Sequence, residues 1–259
     1  MDLKLSDKIF MVTGGVSGIG LAISQGLVAE GAIPVIVDKN GAAGTRLGED
    51  LKVRGHKALF IEADLCDTEQ CRKAVEQTQN AFGELHGLIN NAGVNDGVGL
   101  EQGSPEGFRT SLQKNLNHIY DLTHFCLPLL KETKGTILNI ASKTALTGQG
   151  NTSGYAAAKG GVLALTREWA VELLKYQIRV NAIVPAEVMT PLYQKWLQTF
   201  DDPAAKEKAI TDRIPLENRM TTPEEIANTA LFLISGMAGH ITGQHIHVDG
   251  GYTHLDRII

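Results

Sequence analysis

Short apolar, β-branched runs alternate with helix-length stretches along almost the whole chain, and this alternation leaves few folds open. The runs are Ile9–Thr13, Ile33–Asp38, Ala58–Glu62, Leu88–Asn90, Thr136–Ile140 and Val180–Val184, each bounded by glycine or turn-forming residues. Runs that stay apolar at consecutive positions read as strands buried on both faces, as in a parallel sheet. Between them Ile19–Glu30, Cys71–Phe82, Phe108–Leu130 and Tyr155–Tyr176 carry 3.6-residue periodicity and are long enough for crossover helices. A last strand, Gln244–Val248, follows a helix that Thr222 caps and Pro223 opens. The order specifies an α/β, doubly wound, Rossmann-like sheet of about seven parallel strands flanked by helices. With 259 residues and no linker or repeat, one domain spanning 1–259 is expected. The stretch from Thr190 to Arg219 breaks the alternation, with Tyr193, Trp196 and Phe200 among charged residues in two short helical pieces. It reads either as a small helical lid at about 190–219 or as an ordinary surface insertion.

Charge and cysteine content exclude several function classes. A net charge of −5 with interspersed signs and no basic stripe argues against nucleic acid as a partner. No apolar run reaches membrane-spanning length, and Met1–Phe10 lacks the features of a signal peptide, so a soluble, cytoplasmic protein without a membrane partner is expected. Cys66, Cys71 and Cys126 are odd in number and lack CxxC spacing, which suits a reducing compartment.

The segment Thr13-Gly14-Gly15-Val16-Ser17-Gly18-Ile19-Gly20 stands between the first strand and the first helix. Glycines at such a turn let the backbone approach a pyrophosphate, whose charge meets free N–H groups and the positive end of the helix dipole. Asp38 closes the second strand, eighteen residues after Gly20, where a carboxylate can hold the adenosine ribose diol. A carboxylate there repels the additional phosphate of NADP, so NAD is the expected cofactor, with Lys39 softening the discrimination. The competing reading is that Asp38 only caps the next turn.

Tyr155 and Lys159 stand four residues apart at the start of a helix, on one face. An ammonium about 4 Å from a phenol in a partly dry site is worth roughly 4 kcal/mol. That would lower the phenol by about three pKa units and make it a usable acid/base near neutrality. Ser142 falls at the carboxyl end of the fifth strand, the edge where open α/β sheets bind ligands.

Taken with Asp64, Asn90-Asn91-Ala92-Gly93, Asn115, Pro185, Thr190 and Val248-Asp249-Gly250-Gly251, these motifs resemble the short-chain dehydrogenase/reductase family over essentially the whole chain. The resemblance implies that Ser142 hydrogen-bonds the substrate oxygen, Tyr155 transfers the proton, and Lys159 tunes the tyrosine while holding the nicotinamide ribose. It also implies that Asn115 positions a water linking Lys159 to solvent. By the same resemblance Gly14, Ser17, Gly18, Ile19, Gly20, Asp38 and Lys39 hold the phosphates and ribose, with Asp64 and Leu65 at the adenine. Asn91, Ala92 and Gly93 would run along the cofactor, and Pro185, Val188 and Thr190 would border the nicotinamide. One departure stands out: Pro185-Ala186-Glu187 replaces the family's common Pro-Gly. Glu187 is then either a substrate contact or a charge facing solvent.

The loops expected near the reacting carbon are rich in hydrogen-bonding groups: Asn95, Asp96, Lys143, Thr144, Gln149, Asn151, Thr152, Ser153 and Glu187, with Tyr193 and Trp196 either as covering aromatics or as core packing. A polyhydroxylated substrate needs such groups, whereas a steroid or acyl chain needs an apolar lining. Four segments, Asn90–Gly97, Thr147–Gly154, Pro185–Tyr193 and Gly251–Asp256, resemble the L-fucose dehydrogenase branch of the family. That likeness implies oxidation of L-fucose, or a similar aldose such as D-arabinose, at the anomeric carbon to a lactone, and a role in carbohydrate metabolism. Two alternatives stay open, a keto-group reductase of the 3-oxoacyl type and a non-catalytic NAD-binding protein. His240, His245, His247 and His254 lack cysteine or carboxylate partners at ligand spacing, so no metal is expected. Family likeness implies a homotetramer, with apolar helix faces at Leu112–Leu130 and Val162–Leu174 supplying the interface.

Overall fold

The structure, a computed structural model, describes residues 2–255. Seven parallel strands run β1 (Ile9–Thr13), β2 (Ile33–Asp38), β3 (Leu59–Glu62), β4 (Gly87–Asn90), β5 (Thr136–Ile140), β6 (Arg179–Pro185) and β7 (His245–Val248), in the spatial order β3-β2-β1-β4-β5-β6-β7. Every residue of β1, β4 and β5 is buried, which is why these strands read as unbroken apolar runs. The chain leaves β1 toward β3 and then returns to β4 on the other side. The carboxyl ends of β1 and β4 therefore diverge into a crevice, the place where open α/β sheets take their ligands.

Helices cover both faces. Three of them, α1 (Gly18–Ala29), α2 (Gly41–Val53) and α3 (Thr68–Phe82), connect the first four strands. The α2 helix was the least signalled by sequence, because three glycines and sparse apolar positions weaken its periodicity. Asn40 starts it by accepting the Ala43 N–H. Next, α4 (Pro105–Leu112) and α5 (His118–Thr133) flank a π-helical turn, Gln113–Asn117. The single helix expected over Phe108–Leu130 is thus interrupted, since the π-turn widens one coil of backbone around Asn115. The remaining helices are α6 (Ser153–Glu172), α7 (Pro191–Leu197), α8 (Pro203–Thr211) and α9 (Pro223–Ile234). Thr222 opens α9 with a reciprocal cap: its hydroxyl accepts the Glu225 N–H, and the Glu225 carboxylate accepts the Thr222 N–H. The two larger buried clusters lie against the sheet, one including α3, α5 and α6 and the other α1 and α9, and a smaller one joins Val28, Ile36 and Leu51. No helix among the described residues is long and apolar enough to cross a membrane.

Candidate active site

A cleft of about 530 Å³ opens along the carboxyl edge of the sheet. Its floor at β1 is built by a glycine turn that sterics enforce. A Cβ on Gly20 would stand 2.2 Å from the Gly14 carbonyl oxygen and 2.5 Å from Asn91 Nδ2, so no other residue fits without moving backbone. Asn91 Nδ2 in turn donates to the carbonyls of Thr13 and Gly14 at 2.9 and 3.2 Å, locking the end of β4 to the turn after β1. Ser17 precedes α1 without using its side chain as a cap, and Ser17, Gly18 and Ile19 line the cleft, so the helix's first turn, with its unpaired N–H groups, stands at the cleft.

Asp38 and Lys39 line the same cleft at the end of β2, and Asp64 and Leu65 line it after β3. The Asp38 carboxylate accepts the Asn40 N–H at 3.0 Å, so it shapes the following turn as well as facing the cleft. The two readings of Asp38 are therefore compatible. The residues present fit a dinucleotide: a helix N-terminus at the glycine turn, a carboxylate eighteen residues on, and an elongated crevice reaching to Tyr155.

At the far end Ser142, Tyr155 and Lys159 converge. Ser142 ends the segment after β5 in extended backbone, and its Oγ accepts from Thr144 Oγ1 at 3.0 Å. That leaves the serine's own hydrogen for another acceptor. Tyr155 is half-buried and hydrogen-bonded to Ser142. Lys159, only 2% exposed, donates to the Ile140 carbonyl at 2.6 Å, and its Nζ lies 5.6 Å from the Tyr155 ring centroid. This geometry corrects the expected electrostatics. Burial pushes the Tyr155 phenol up to about 12, only partly offset by the Ser142 hydrogen bond, and pushes Lys159 down to about 8. The lysine spends a hydrogen on a backbone carbonyl, and burial with the Ser142 hydrogen bond, not the lysine's charge, sets the phenol.

The π-turn brings Asn115 into this group. Asn115 Oδ1 accepts the Val94 N–H at 2.7 Å, and its Nδ2 donates to the Ser111 carbonyl at 3.0 Å. A Cβ on Gly93 would come within 2.9 Å of Asn115 Oδ1 and 3.5 Å of Lys159 Nζ, so the bare backbone at Gly93 is what lets these groups meet. His118 is a site residue that sequence reasoning passed over. It is 1% exposed, lines the cleft, and lies between the carbonyls of Ala92 at 3.2 Å and Gln113 at 3.4 Å. Burial lowers its pKa to about 4, so it is neutral there. Its signal was position, three residues after Asn115 and hence on the same side of the helix.

A family model described as enoyl-(acyl carrier protein) reductase matches residues 14–253 of the chain. The chain belongs to the short-chain dehydrogenase/reductase family.

Members of this family are oxidoreductases that use nicotinamide cofactors, and the chain is an enzyme of that kind. The bovine L-fucose dehydrogenase is 36% identical over 252 residues, covering 97% of this chain and 91% of the relative. The cyclohexanol dehydrogenase of Acinetobacter sp. is 34% identical over 255 residues, covering 98% of each. Among solved structures, the Cj0485 dehydrogenase superposes with a TM-score of 0.94 at 46% identity, covering 100% of this chain and 99% of that one.

As a short-chain dehydrogenase/reductase, the chain places its sequence-predicted site residues as follows. Nearly all those expected to hold cofactor line the cleft, including Gly14, Gly18, Ile19, Ala92, Pro185, Val188 and Thr190; Gly20 and Asn115 stand behind the lining and shape it. Of the expected substrate residues, Asn95 and Tyr193 line the cleft. Lys143 and Glu187 form an ion pair beside it, and Tyr193 donates to Glu187 at 2.7 Å. Gln149 is exposed away from the lining. Trp196, 42% exposed, packs edge-on between Tyr193 and Phe200 and does not reach the cleft. Pro191, Leu192 and Tyr193 carry the start of α7 to the cleft, whereas α8 contributes nothing to its lining. Tyr252, missed by the sequence reading, places its ring 4.0 Å below Lys143 Nζ.

Proposed function

We propose that this enzyme is an NAD-dependent dehydrogenase that oxidises the anomeric hydroxyl of an aldose, L-fucose or a close relative such as D-arabinose, to a lactone. The observation that carries the reading is the meeting of Ser142 and Tyr155 at the open end of a dinucleotide-shaped cleft whose neighbouring loops are polar. Asn95 and Lys114 line the cleft, Asp96 pairs with Lys114, and the Lys143–Glu187 pair is joined to the lining through Tyr193. The 36% identity to the bovine L-fucose dehydrogenase supports the same substrate class.

Bound nicotinamide supplies the acceptor for the hydride leaving the anomeric carbon. The chain's own residues handle the rest. Ser142 holds the sugar oxygen, with Thr144 fixing the serine's orientation. Tyr155 takes the hydroxyl proton as the carbonyl of the lactone forms. Lys159, which burial lowers to about 8, exchanges that proton near neutral pH along the Asn115 side of the site. Asp38 favours NAD over NADP by repelling a 2′-phosphate. Three free thiols suit a cytoplasmic setting.

The test is NADH formation with L-fucose, D-arabinose and D-glucose, each run with NAD and with NADP. Turnover of L-fucose with NAD, lost by at least 100-fold in Tyr155→Phe, is the expected result. A second reading is reduction of a 3-oxoacyl carbonyl, the activity for which a Thermotoga maritima relative, 32% identical over 250 residues, is named. NADH consumption with an acetoacetyl thioester and no turnover of any aldose would establish that reading instead.

A further inference from the structure

We infer that Lys143 and Glu187 act as one specificity-determining unit that recognises a vicinal diol on the substrate, away from the carbon being oxidised. The inference rests on the aldose reading. Lys143 follows Ser142 directly, and Glu187 lies two residues beyond the end of β6; β5 and β6 are sheet neighbours, so the pair bridges the two strand ends that flank the serine.

Burial is the first argument. The side chains are 8% and 13% exposed, and two charges withdrawn from water cost more than an apolar pair in the same place. Stability alone gives little reason to keep such a pair beside a ligand cleft. Position is the second. The backbone carrying Glu187 is clamped, since its carbonyl accepts the Thr221 N–H at 3.0 Å and Met189 donates to the Thr221 carbonyl at 3.1 Å. The carboxylate is thereby preorganised instead of swinging on a loop.

Hydrogen-bond capacity is the third. Glu187 gives one oxygen to Lys143 and the other to the Tyr193 hydroxyl, and each oxygen keeps a second acceptor position. The Lys143 ammonium has three hydrogens, of which one goes to Glu187, while the Tyr252 ring packs against it at 4.0 Å. A donor and an acceptor thus stand side by side, as two adjacent hydroxyls require: one donates to the carboxylate while its neighbour accepts from the ammonium. A simple alcohol offers nothing to this unit. Tyr193 belongs to α7 and lines the cleft, so the carboxylate also ties the covering helix to the recognition site.

The experiment measures kcat/KM of the NAD-loaded enzyme for L-fucose and for cyclohexanol, in the unaltered chain and in Glu187→Gln and Lys143→Met. The 3-deoxy and 4-deoxy forms of L-fucose complete a cycle with each variant, and NADH fluorescence titration reports whether the cofactor cleft survives. The expected result is a fall of at least tenfold in the ratio of L-fucose to cyclohexanol kcat/KM, expressed mainly in KM. In the cycle, at least one deoxy sugar should lose little further in the variants, because its missing hydroxyl and the altered side chain remove one shared contact. Equal losses on both substrates, or full additivity with both deoxy sugars, would overturn the pair's role while leaving the aldose reading intact. Turnover of cyclohexanol but of no sugar by the unaltered chain would overturn that reading, and this inference with it.

Discussion

Tyr155 and Lys159 show how strongly burial governs chemistry at single residues. Each is driven by desolvation toward its neutral form, the phenol up to about 12 and the ammonium down to about 8. Oxidation needs the phenolate, so kcat/KM for the alcohol is expected to rise as pH climbs through the neutral and alkaline range. Reduction of the corresponding carbonyl, which needs the protonated phenol, is expected to fall over the same range. Lys159→Met removes the group that exchanges protons near pH 8 and is expected to lower kcat at neutral pH by at least tenfold, with partial recovery at higher pH. A pH–rate profile of both proteins checks this; superimposable profiles would remove Lys159 from the proton path. The linkage sign for stability is separate. The unfolded lysine titrates near 10.5 and the folded one near 8, so between those values the unfolded chain binds more protons and stability rises with pH.

Among the elements, α9 depends most visibly on its first turn. Thr222 and Glu225 cap each other, and Arg219 braces the same carboxylate at 2.7 Å, holding Glu225 well below the usual carboxylate range at about 2. Thr222→Ala removes the hydroxyl that accepts the Glu225 N–H and is expected to cost about 1 kcal/mol, measured as a lowered midpoint in urea unfolding with unchanged slope. This cap was legible in the sequence because Thr-Pro-Glu-Glu encodes it locally. The strands were legible for a related reason: burial on both faces forces consecutive apolar residues, so β1, β2 and β5 fall where the pattern puts them. The π-turn was not legible. It differs from an α-helix by one residue of hydrogen-bond spacing, and Gln113–Asn117 is mostly polar with no glycine or proline to mark the change. The Lys143–Glu187 pair was half legible. Both charges were candidate substrate contacts, but their partnership spans 44 residues and depends on β5 lying beside β6.

For the whole molecule, the surface of α5 and α6 bears on how many copies assemble. Tyr120 on α5 and Val171 on α6 are 54 and 70% exposed, and Leu174, in the turn just past α6, is 57% exposed. Tyr120 stacks on His124 and tilts against Trp169, which joins α5 to α6 in one aromatic patch. Apolar groups gathered on neighbouring helices mark an association surface more than scattered exposure does. A twofold axis through this patch would set α5 and α6 of one copy against those of another, and a second axis elsewhere would complete a closed tetramer. Mass photometry is expected to show four copies, and Tyr120→Glu with Val171→Glu is expected to yield dimers, since charge at the centre of an apolar interface goes unpaired. A monomer before any substitution would remove the interface role from these helices. Gly14, Asp38, Asn91, Tyr155 and Lys159 of a single chain line one continuous cleft. The dissociated variant should therefore still quench NADH fluorescence, and its loss of assembly without loss of cofactor binding would separate the two roles of the same helical layer.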